Sequence, residues 1–405
     1  MASNLHRRKD IFASYVDVVV AGGGVAGIAA SIAAARRGAK VALLERTGLL
    51  GGTVAHCLIH TLGGLYDAAG EYINRGTCVE LADRLIRADE QTEKRKVGRM
   101  WTLSASPDVF RDVVESWVGE EGNITSLMGV EDLSVELRED TINSVGVAVE
   151  GRRVSVQARS VVDATGTAEI IGSVNRTLLA ESRNRALGGL ILRIGNIRSE
   201  DVLFPRNLRI TKKIRRAAAE GVLPEEFSHT WVDRGVYADE AYVKISLTLE
   251  GDLVKPLQDY PAAAFLGHRL LCFLRELPEF SGARIVQVGK LGFRDGGRFH
   301  GEYRLKAADV RGGRKFLDAA CRCAWPIEFW DPRKGVELEY LSDEDYYEIP
   351  LKSLKVLGIE NLWAAGKCIS ADPIAQASTR VAGCCWAMGE AVGKVVSQSR
   401  TERQK

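Results

Sequence analysis

The sequence predicts an α/β fold, with a parallel sheet into which a second, mixed α/β region is inserted. Two observations predict it. The β-branched run Val16 to Val20 leads into Gly22, Gly24 and Gly27 at G-x-G-x-x-G spacing, then an Ala-rich helical stretch and a second apolar strand. Much later, Ser160 to Gly166 reads as another buried strand, ending in Ala164-Thr165-Gly166.

Val16 to Val20 is apolar but for Asp17, as a buried parallel strand requires. Gly22 permits the tight turn, Gly24 lets a pyrophosphate approach the backbone, and Gly27 lets helix pack close to strand. Val25 and Ala26 lead into the helix, read over Ile28 to Arg37, whose N-terminal N–H groups and positive dipole end suit phosphate. Lys40 to Leu44 is the second strand. Glu45 at its end, 18 residues after Gly27, can accept hydrogen bonds from a ribose diol. Arg46 to Thr53 then completes an E-x(5)-G-G run through Gly51 and Gly52. This run resembles the extension found in the FAD-binding glutathione-reductase-like flavoproteins. The resemblance implies FAD rather than NAD, with Arg46, Gly51, Gly52 and Thr53 along the pyrophosphate and ribityl chain. It also implies a Rossmann domain with a β-meander and an inserted mixed α/β substrate domain.

Apolar residues make up 46% and charged residues 27% of the 405, ordinary values for a globular protein. The net charge of +2 implies no field for nucleic acid or an anionic membrane. No run of about 18 apolar residues occurs, so no membrane span is expected. The start, MASNLHRRKDIFASY, lacks the apolar core of a secretory signal. Eight scattered cysteines without a C-x-x-C favour a reducing, cytoplasmic setting. There is no second strand–G-x-G-x-x-G–helix unit, which flavoproteins with a separate NAD(P)H domain usually carry.

After the glycine loop, His56 and His60 stand four apart with Cys57 between them. On one helix face they could share a metal, but no third ligand is evident and none is assigned. Their position after G-G-T suits contact with the flavin, a covalent bond to it, or a substrate; the alternative is a polar pocket lining without chemistry. Gly76 to Lys96 reads as a helix with a charged outer face. Ser106-Pro107-Asp108 opens another, with Val109, Phe110, Val113, Val114 and Trp117 at helical spacing. Residues 123–162 form β-rich pieces, Asn123–Val130, Glu131–Arg138, Ser144–Glu150 and Arg153–Ala158, that look like the family's β-meander. By resemblance Val130 lies near the adenine. The Ala164-Thr165-Gly166 end is the second signature of the class; its small residues let the strand end come close to the nucleotide.

The expected division is an arm over 1–15, an FAD-binding domain over 16–170 and 345–400, and a substrate domain over 171–344. In the last, Leu187–Ile197, Tyr242–Glu250 and Ala283–Lys290 read as strands and Ala262–Leu277 as a helix. Ser199 to Arg234 reads as polar and loop-rich. His229, Trp231, Tyr237 and Tyr242 are candidate pocket walls, with ordinary packing as the alternative.

From Arg294 the chain resembles the FAD-dependent oxidoreductases that carry R-x(3)-R-x(2)-G-x-Y, here Arg294, Arg298, Gly301 and Tyr303. Asp309-Val310, Gly313 to Phe316 and Trp325-Pro326-Ile327-Glu328 match their next motifs. Family members often carry a histidine where this chain has Phe329 or Trp330. Arg294 and Arg298 could hold a carboxylate substrate or the flavin N1–C2=O edge; a structural salt bridge is the alternative. Asn361 to Lys367 matches N-L-x-x-A-G-[RK], where Gly366 lets the backbone approach the ribityl–phosphate arm. Ser378 and Thr379 are expected to open the last helix, to about Val396, with its dipole toward the flavin.

The resemblance implies an FAD-dependent oxidoreductase acting on an organic substrate, by hydride transfer to flavin N5 or by flavin-mediated oxygenation. Under the second, the substrate is aromatic, of tryptophan type or peptide-borne, and NAD(P)H or a separate reductant is needed. A non-catalytic flavin-binding maturation or electron-transfer partner is the reading from a different class.

Overall fold

Parallel pairing organises the N-terminal part. In the computed structural model, which describes residues 15–180, 186–248, 259–331, 333–342 and 345–398, β1 (Val16–Ala21) leads through α1 (Val25–Ala35) to β2 (Val41–Glu45). The short α2 (Gly52–His56) and β3 (Thr61–Leu62) follow, then α3 (Thr77–Ala88), the hairpin β4 (Glu93–Val97) and β5 (Met100–Ser104), and α4 (Pro107–Glu120). Next come β6 (Ile124–Met128), β7 (Val130–Arg138), β8 (Thr141–Val149), β9 (Arg152–Asp163) and α5 (Glu169–Val174). The inserted region holds β10 (Gly188–Gly195), α6 (Arg206–Ala219), β11 (Trp231–Arg234), β12 (Glu240–Leu247), α7 (Ala263–Arg275) and β13 (Arg284–Val288). The chain continues through α8 (Ala307–Arg311), β14 (Ala319–Cys323), β15 (Ile327–Asp331), β16 (Gly335–Glu339) and β17 (Tyr347–Pro350) to β18 (Leu362–Ala364), α9 (Pro373–Thr379) and α10 (Ala382–Ser397).

The main sheet runs β6-β2-β1-β9 in parallel, with β18 also parallel to β9. β9 belongs to two arrangements. Its first half pairs antiparallel with β8, and from Ala158 to Asp163 it pairs parallel with β1. The expected fourth meander piece, Arg153–Ala158, and the A-T-G strand are therefore one strand. The expected first meander piece, β6, instead pairs with β2 at the sheet edge.

The second sheet, β11-β12-β10-β13, is antiparallel and two-faced. Leu190, Leu192, Ile194, Val232, Val243 and Ile245 bury one face among α6 and α7 residues. The other face carries Arg193, Asp233, Tyr242, Lys244 and Ser246, in the alternation a half-apolar sheet demands. This third core draws on residues 190–291, whereas Leu305, Val310, Cys321 and Ile327 pack in the first core beside α1 and α10. The expected substrate domain, drawn to 344, thus extends past the core that would define it.

Three helical expectations change. Gly76 to Lys96 is a helix only over α3; the Asp89 carbonyl and carboxylate take the N–H groups of Thr92 and Gln91, and Glu93–Val97 pairs with β5. Ser199 to Arg234 contains the 14-residue α6, whose buried stripe Ile210, Ile214, Ala217 and Ala218 is diluted by surrounding Lys and Arg. Ser378 and Thr379 end α9 rather than open the last helix, which starts at Ala382. Residues 1–14 of the expected arm, Leu249–Glu250 of the expected strand and the 399–405 tail lie outside the described residues.

Among the described residues, no helix is long and apolar enough to cross a membrane.

Candidate functional site

Parallel strands deliver their following loops to one edge, the usual binding crevice of such sheets. Here the turns after β1, β2, β9 and β18 meet. A Cβ on Gly22 would lie 2.4 Å from the Ala164 oxygen, and one on Gly27 only 1.8 Å from the Gly22 oxygen. A Cβ on Gly52 would stand 2.7 Å from the Gly24 Cα. Gly24 itself has space: its Cβ would meet only the Gly52 Cα, at 3.8 Å. Gly24 caps α1 without any side-chain hydrogen bond.

Glu45 ties the two glycine turns. One carboxylate oxygen accepts from the Gly23 N–H at 2.6 Å; the other accepts from the Thr47 N–H and hydroxyl at 2.7 and 2.8 Å. The Thr47 hydroxyl also contacts His56 Nε2 at 3.1 Å. His56 therefore stands on the Glu45 side, and burial lowers its pKa. Arg46 turns aside to an ion pair with Glu169. Val130 is buried at the start of β7, two residues beyond Met128, the register partner of Glu45.

Asp163 builds the A-T-G turn. It accepts from the Thr165 N–H and hydroxyl, and from the Ile171 N–H. Burial raises its pKa against these bonds. The Cys368 sulfur accepts from the N–H groups of Gly166 and Ala168, joining this turn to the one after β18. Gly366 has φ +81°, and a Cβ there would press on Ala26 at 2.6 Å. Ser378 and Thr379 are fully buried. Ser378 accepts from the Tyr347 hydroxyl and donates to the Trp325 carbonyl.

His56 and His60 do not share a helix face. α2 stops at His56, and Leu58 takes φ +58°, breaking the spacing that a shared metal would need. His60 is fully buried, stacked on Tyr242 with ring centroids 3.8 Å apart. Neither ring nitrogen, nor the Tyr242 hydroxyl, has a hydrogen-bond partner; the Arg234 carbonyl approaches His60 outside bonding geometry. Burial, with Lys244 nearby, holds His60 well below its ordinary pKa and hence neutral. Among the described residues, no three His, Cys, Asp or Glu side chains gather as a metal site.

Arg294 spans the two sheets. Its Nη1 donates to the Leu187 and Gly188 carbonyls at 2.7 and 2.6 Å, and its guanidinium lies 4.1 Å over the Trp330 ring. Burial, then Arg380 nearby, lowers its pKa to about 9. Arg298 is instead buried in an ion pair with Asp295 at 3.4 Å, which matches its structural alternative. Of the candidate walls, Tyr242 meets His60, while Trp231 donates to Asp233 and Tyr237 to Asp89. His229 sits against the Gly335 turn. Sequence reasoning gave no role to Asp163, Lys367, Cys368 or Arg380, although each lies inside or beside a quoted motif.

Glycine turns, an acid and an A-T-G loop gathered at one sheet edge define a Rossmann-type nucleotide-binding α/β protein. The chain belongs to the FAD dependent oxidoreductase family, whose model matches residues 17–405. It is 29% identical over 164 residues to a dihydrolipoyl dehydrogenase of Trypanosoma brucei brucei; this match takes in 39% of this chain and only 31% of that protein's length. A geranylgeranyl bacteriochlorophyll reductase-like structure from Thermoplasma acidophilum shares its fold, with TM-score 0.53, 15% identity, and coverage of 95% of this chain and 77% of that one. GidA from Aquifex aeolicus aligns with TM-score 0.48 and 14% identity over 95% of this chain and 63% of that one. FAD is the cofactor of the family, and the residues present fit it: the backbone at Gly24 leaves room for phosphate, and Glu45 is anchored where a ribose would need an acceptor.

Proposed function

We propose that this chain is an FAD-dependent oxidoreductase of the glutathione-reductase-like arrangement, acting on a small organic substrate. Residues 16–170 and 345–400 form the FAD-binding domain, and the second sheet is the core of the substrate domain drawn over 171–344. The observation that carries the reading is the convergence of four strand-end loops opposite the polar face of the second sheet.

FAD, when bound, supplies two-electron chemistry that side chains lack. The chain's part is to bind and orient. Gly24, Val25, Ala26 and Gly27 offer backbone N–H groups to the pyrophosphate, while Gly22, whose N–H donates to the Leu44 carbonyl, makes the turn that presents them. Glu45 accepts from the ribose, and its bonds to Gly23 and Thr47 hold it in place. Gly51, Gly52, Thr53, Ala164, Thr165, Gly166 and Gly366 line the dinucleotide, with Val130 toward the adenine. Ser378 and Thr379 form the wall behind it. Arg46 closes the outer edge through Glu169. His60, kept neutral and stacked on Tyr242, is too weak a base and too deeply buried to take a proton from substrate, and serves as packing behind the polar face of the second sheet.

The test is the absorption spectrum of the purified protein, repeated on the filtrate after denaturation. A flavin spectrum passing into the filtrate supports non-covalent FAD. Yellow colour retained on the protein redirects attention to His56, Cys57 and His60 as attachment points. No flavin, even after FAD is added, overturns the reading. Once FAD is bound, reduction by a metabolite alone favours hydride transfer, while rapid reduction by NAD(P)H favours oxygenation.

A further inference from the structure

Three cations from three separate elements meet beside Trp330. Arg294 comes from the loop after β13, Lys367 from the turn after β18, and Arg380 from the link between α9 and α10. Lys367 reaches the carbonyl of Phe293, the residue before Arg294, and Arg380 reaches the carbonyl of Glu328, whose side chain holds the Trp330 indole on which Arg294 lies. Arg380 disfavours the charged forms of both Arg294 and Lys367, and Arg294 and Lys367 both act on the Cys57 thiol.

None of the three spends its hydrogen bonds on a carboxylate. Arg294 donates to the Leu187 and Gly188 carbonyls, Lys367 to the Phe293 carbonyl at 2.8 Å, and Arg380 to the Glu328 carbonyl at 2.8 Å. The two nearest acids are engaged elsewhere. Glu328 accepts from the indoles of Trp330 and Trp325 at 2.8 and 3.0 Å. Asp295 takes the Gly296 N–H and the Arg298 guanidinium. Glu328 and Asp295 offset part of this charge, but the three half-buried cations outnumber these two acids, and an excess of partly desolvated positive charge favours one further anion.

The geometry of Arg294 narrows that ligand. Both Nη1 hydrogens go to carbonyls, and the Trp330 indole backs the guanidinium. The Nε–Nη2 edge is left with one long contact, Nη2 to the Ser246 hydroxyl at 3.5 Å. A single free edge with two parallel donors matches one carboxylate. The cations lie between the turns assigned to FAD and the polar face of the second sheet, where substrate would enter.

We propose that Arg294, Lys367 and Arg380 form an anion subsite that seats a carboxylate group of the organic substrate. This rests on the flavoenzyme reading above, which FAD content tests separately.

The experiment follows thermal unfolding of FAD-saturated protein titrated with acetate and benzoate, with acetamide, benzamide and inorganic phosphate alongside. The expected result is saturable stabilisation by the carboxylates, none by the amides, and a weaker response to phosphate. Arg380→Met and Lys367→Met should each weaken benzoate by about tenfold or more at unchanged FAD content. Arg294→Lys keeps the charge but removes the two-donor edge and should weaken it similarly, which separates recognition from the Leu187–Gly188 anchor. Amides acting as well as carboxylates, tighter phosphate than carboxylate, or no response to any probe would overturn the subsite. So would substitutions that strip FAD, since the cations would then serve the cofactor. A protein that never takes up FAD fails before any carboxylate is added and overturns the underlying reading as well.

Discussion

Gly24 and Gly52 face each other across the two glycine turns, yet they should respond differently to a side chain. Gly24 has extended backbone, φ −77° and ψ −179°, with open space in front of it. Gly24→Val should therefore leave the fold intact while its methyls occupy the phosphate approach. FAD occupancy after reconstitution should drop severely, with the urea midpoint of the FAD-free protein nearly unchanged. Gly52 has φ +52° and no space. Gly52→Ala should cost about 1–3 kcal/mol of stability, read as a lower urea midpoint before FAD is considered. Equal loss of stability in both variants would contradict this distinction. The glycines were legible because each does a job only glycine can do. Asp163, Lys367 and Arg380 were not, since their partners are a turn's N–H groups and distant backbone carbonyls, and no local spacing announces these. The histidine pair shares no helix face for a local reason: a helix of five residues ends at His56.

At the scale of elements, α1, α3 and α4 are clamped around Trp117. Arg36 and Arg84 lie over its ring at 5.4 and 4.4 Å, and Glu80 bridges the two arginines. The hydrogen bond from Arg36 outweighs the cost of burial and, helped by a smaller contribution from Arg84, holds the Glu80 carboxyl below its ordinary pKa. A carboxyl lowered on folding stabilises above its unfolded pKa, about 4.3, and loses that contribution as pH falls through the folded value. Glu80→Gln should therefore lower thermal stability near neutrality and flatten its decline below about pH 4.5. An unchanged acid limb would count against the clamp. The pair α1 and α10 depends on still closer contact. A Cβ on Gly389 would lie 2.1 Å from the Ala26 oxygen, and one on Gly393 2.3 Å from the Ala30 oxygen. Gly389→Leu should force the helices apart and cost 3 kcal/mol or more, roughly the upper range for overpacking, with FAD lost as α1 shifts. Helix α10 was legible in outline because it is apolar on nearly every side. Helix α6 was not, because its apolar stripe is narrow among the six Lys and Arg residues of the helix; such a face shows only once the sheet it covers is known.

For the whole molecule, the fold class was the most legible feature. Strand, glycine turn, helix and acid form one contiguous stretch, and the second sheet follows from alternation. What sequence could not set was where the inserted region stops. Residues 299–327 return to the first two cores through long-range packing, not through any change in composition. Because the turns after four different strands build the candidate FAD site, occupancy should stabilise the molecule as one unit. Linkage predicts about 2.7 kcal/mol at FAD one hundredfold above its dissociation constant. Calorimetry should show one transition moving upward with added FAD. A shift confined to one of two resolved transitions would mean that the inserted region unfolds independently of the site.

The intimate seating of α10 on α1 also sets an order of events in time. Gly389, whose backbone rests against Ala26, is made 363 residues after it. Strand β18, which finishes the sheet beside β9, emerges only shortly before. Until then a nascent chain exposes an uncovered Ala-rich helix and a sheet with an open edge, a combination that invites association with other chains. Nucleotide capture should consequently wait until α10 has emerged. Stalled ribosomes carrying residues 1–370 should retain no labelled FAD, whereas chains extended past 398 by a linker should.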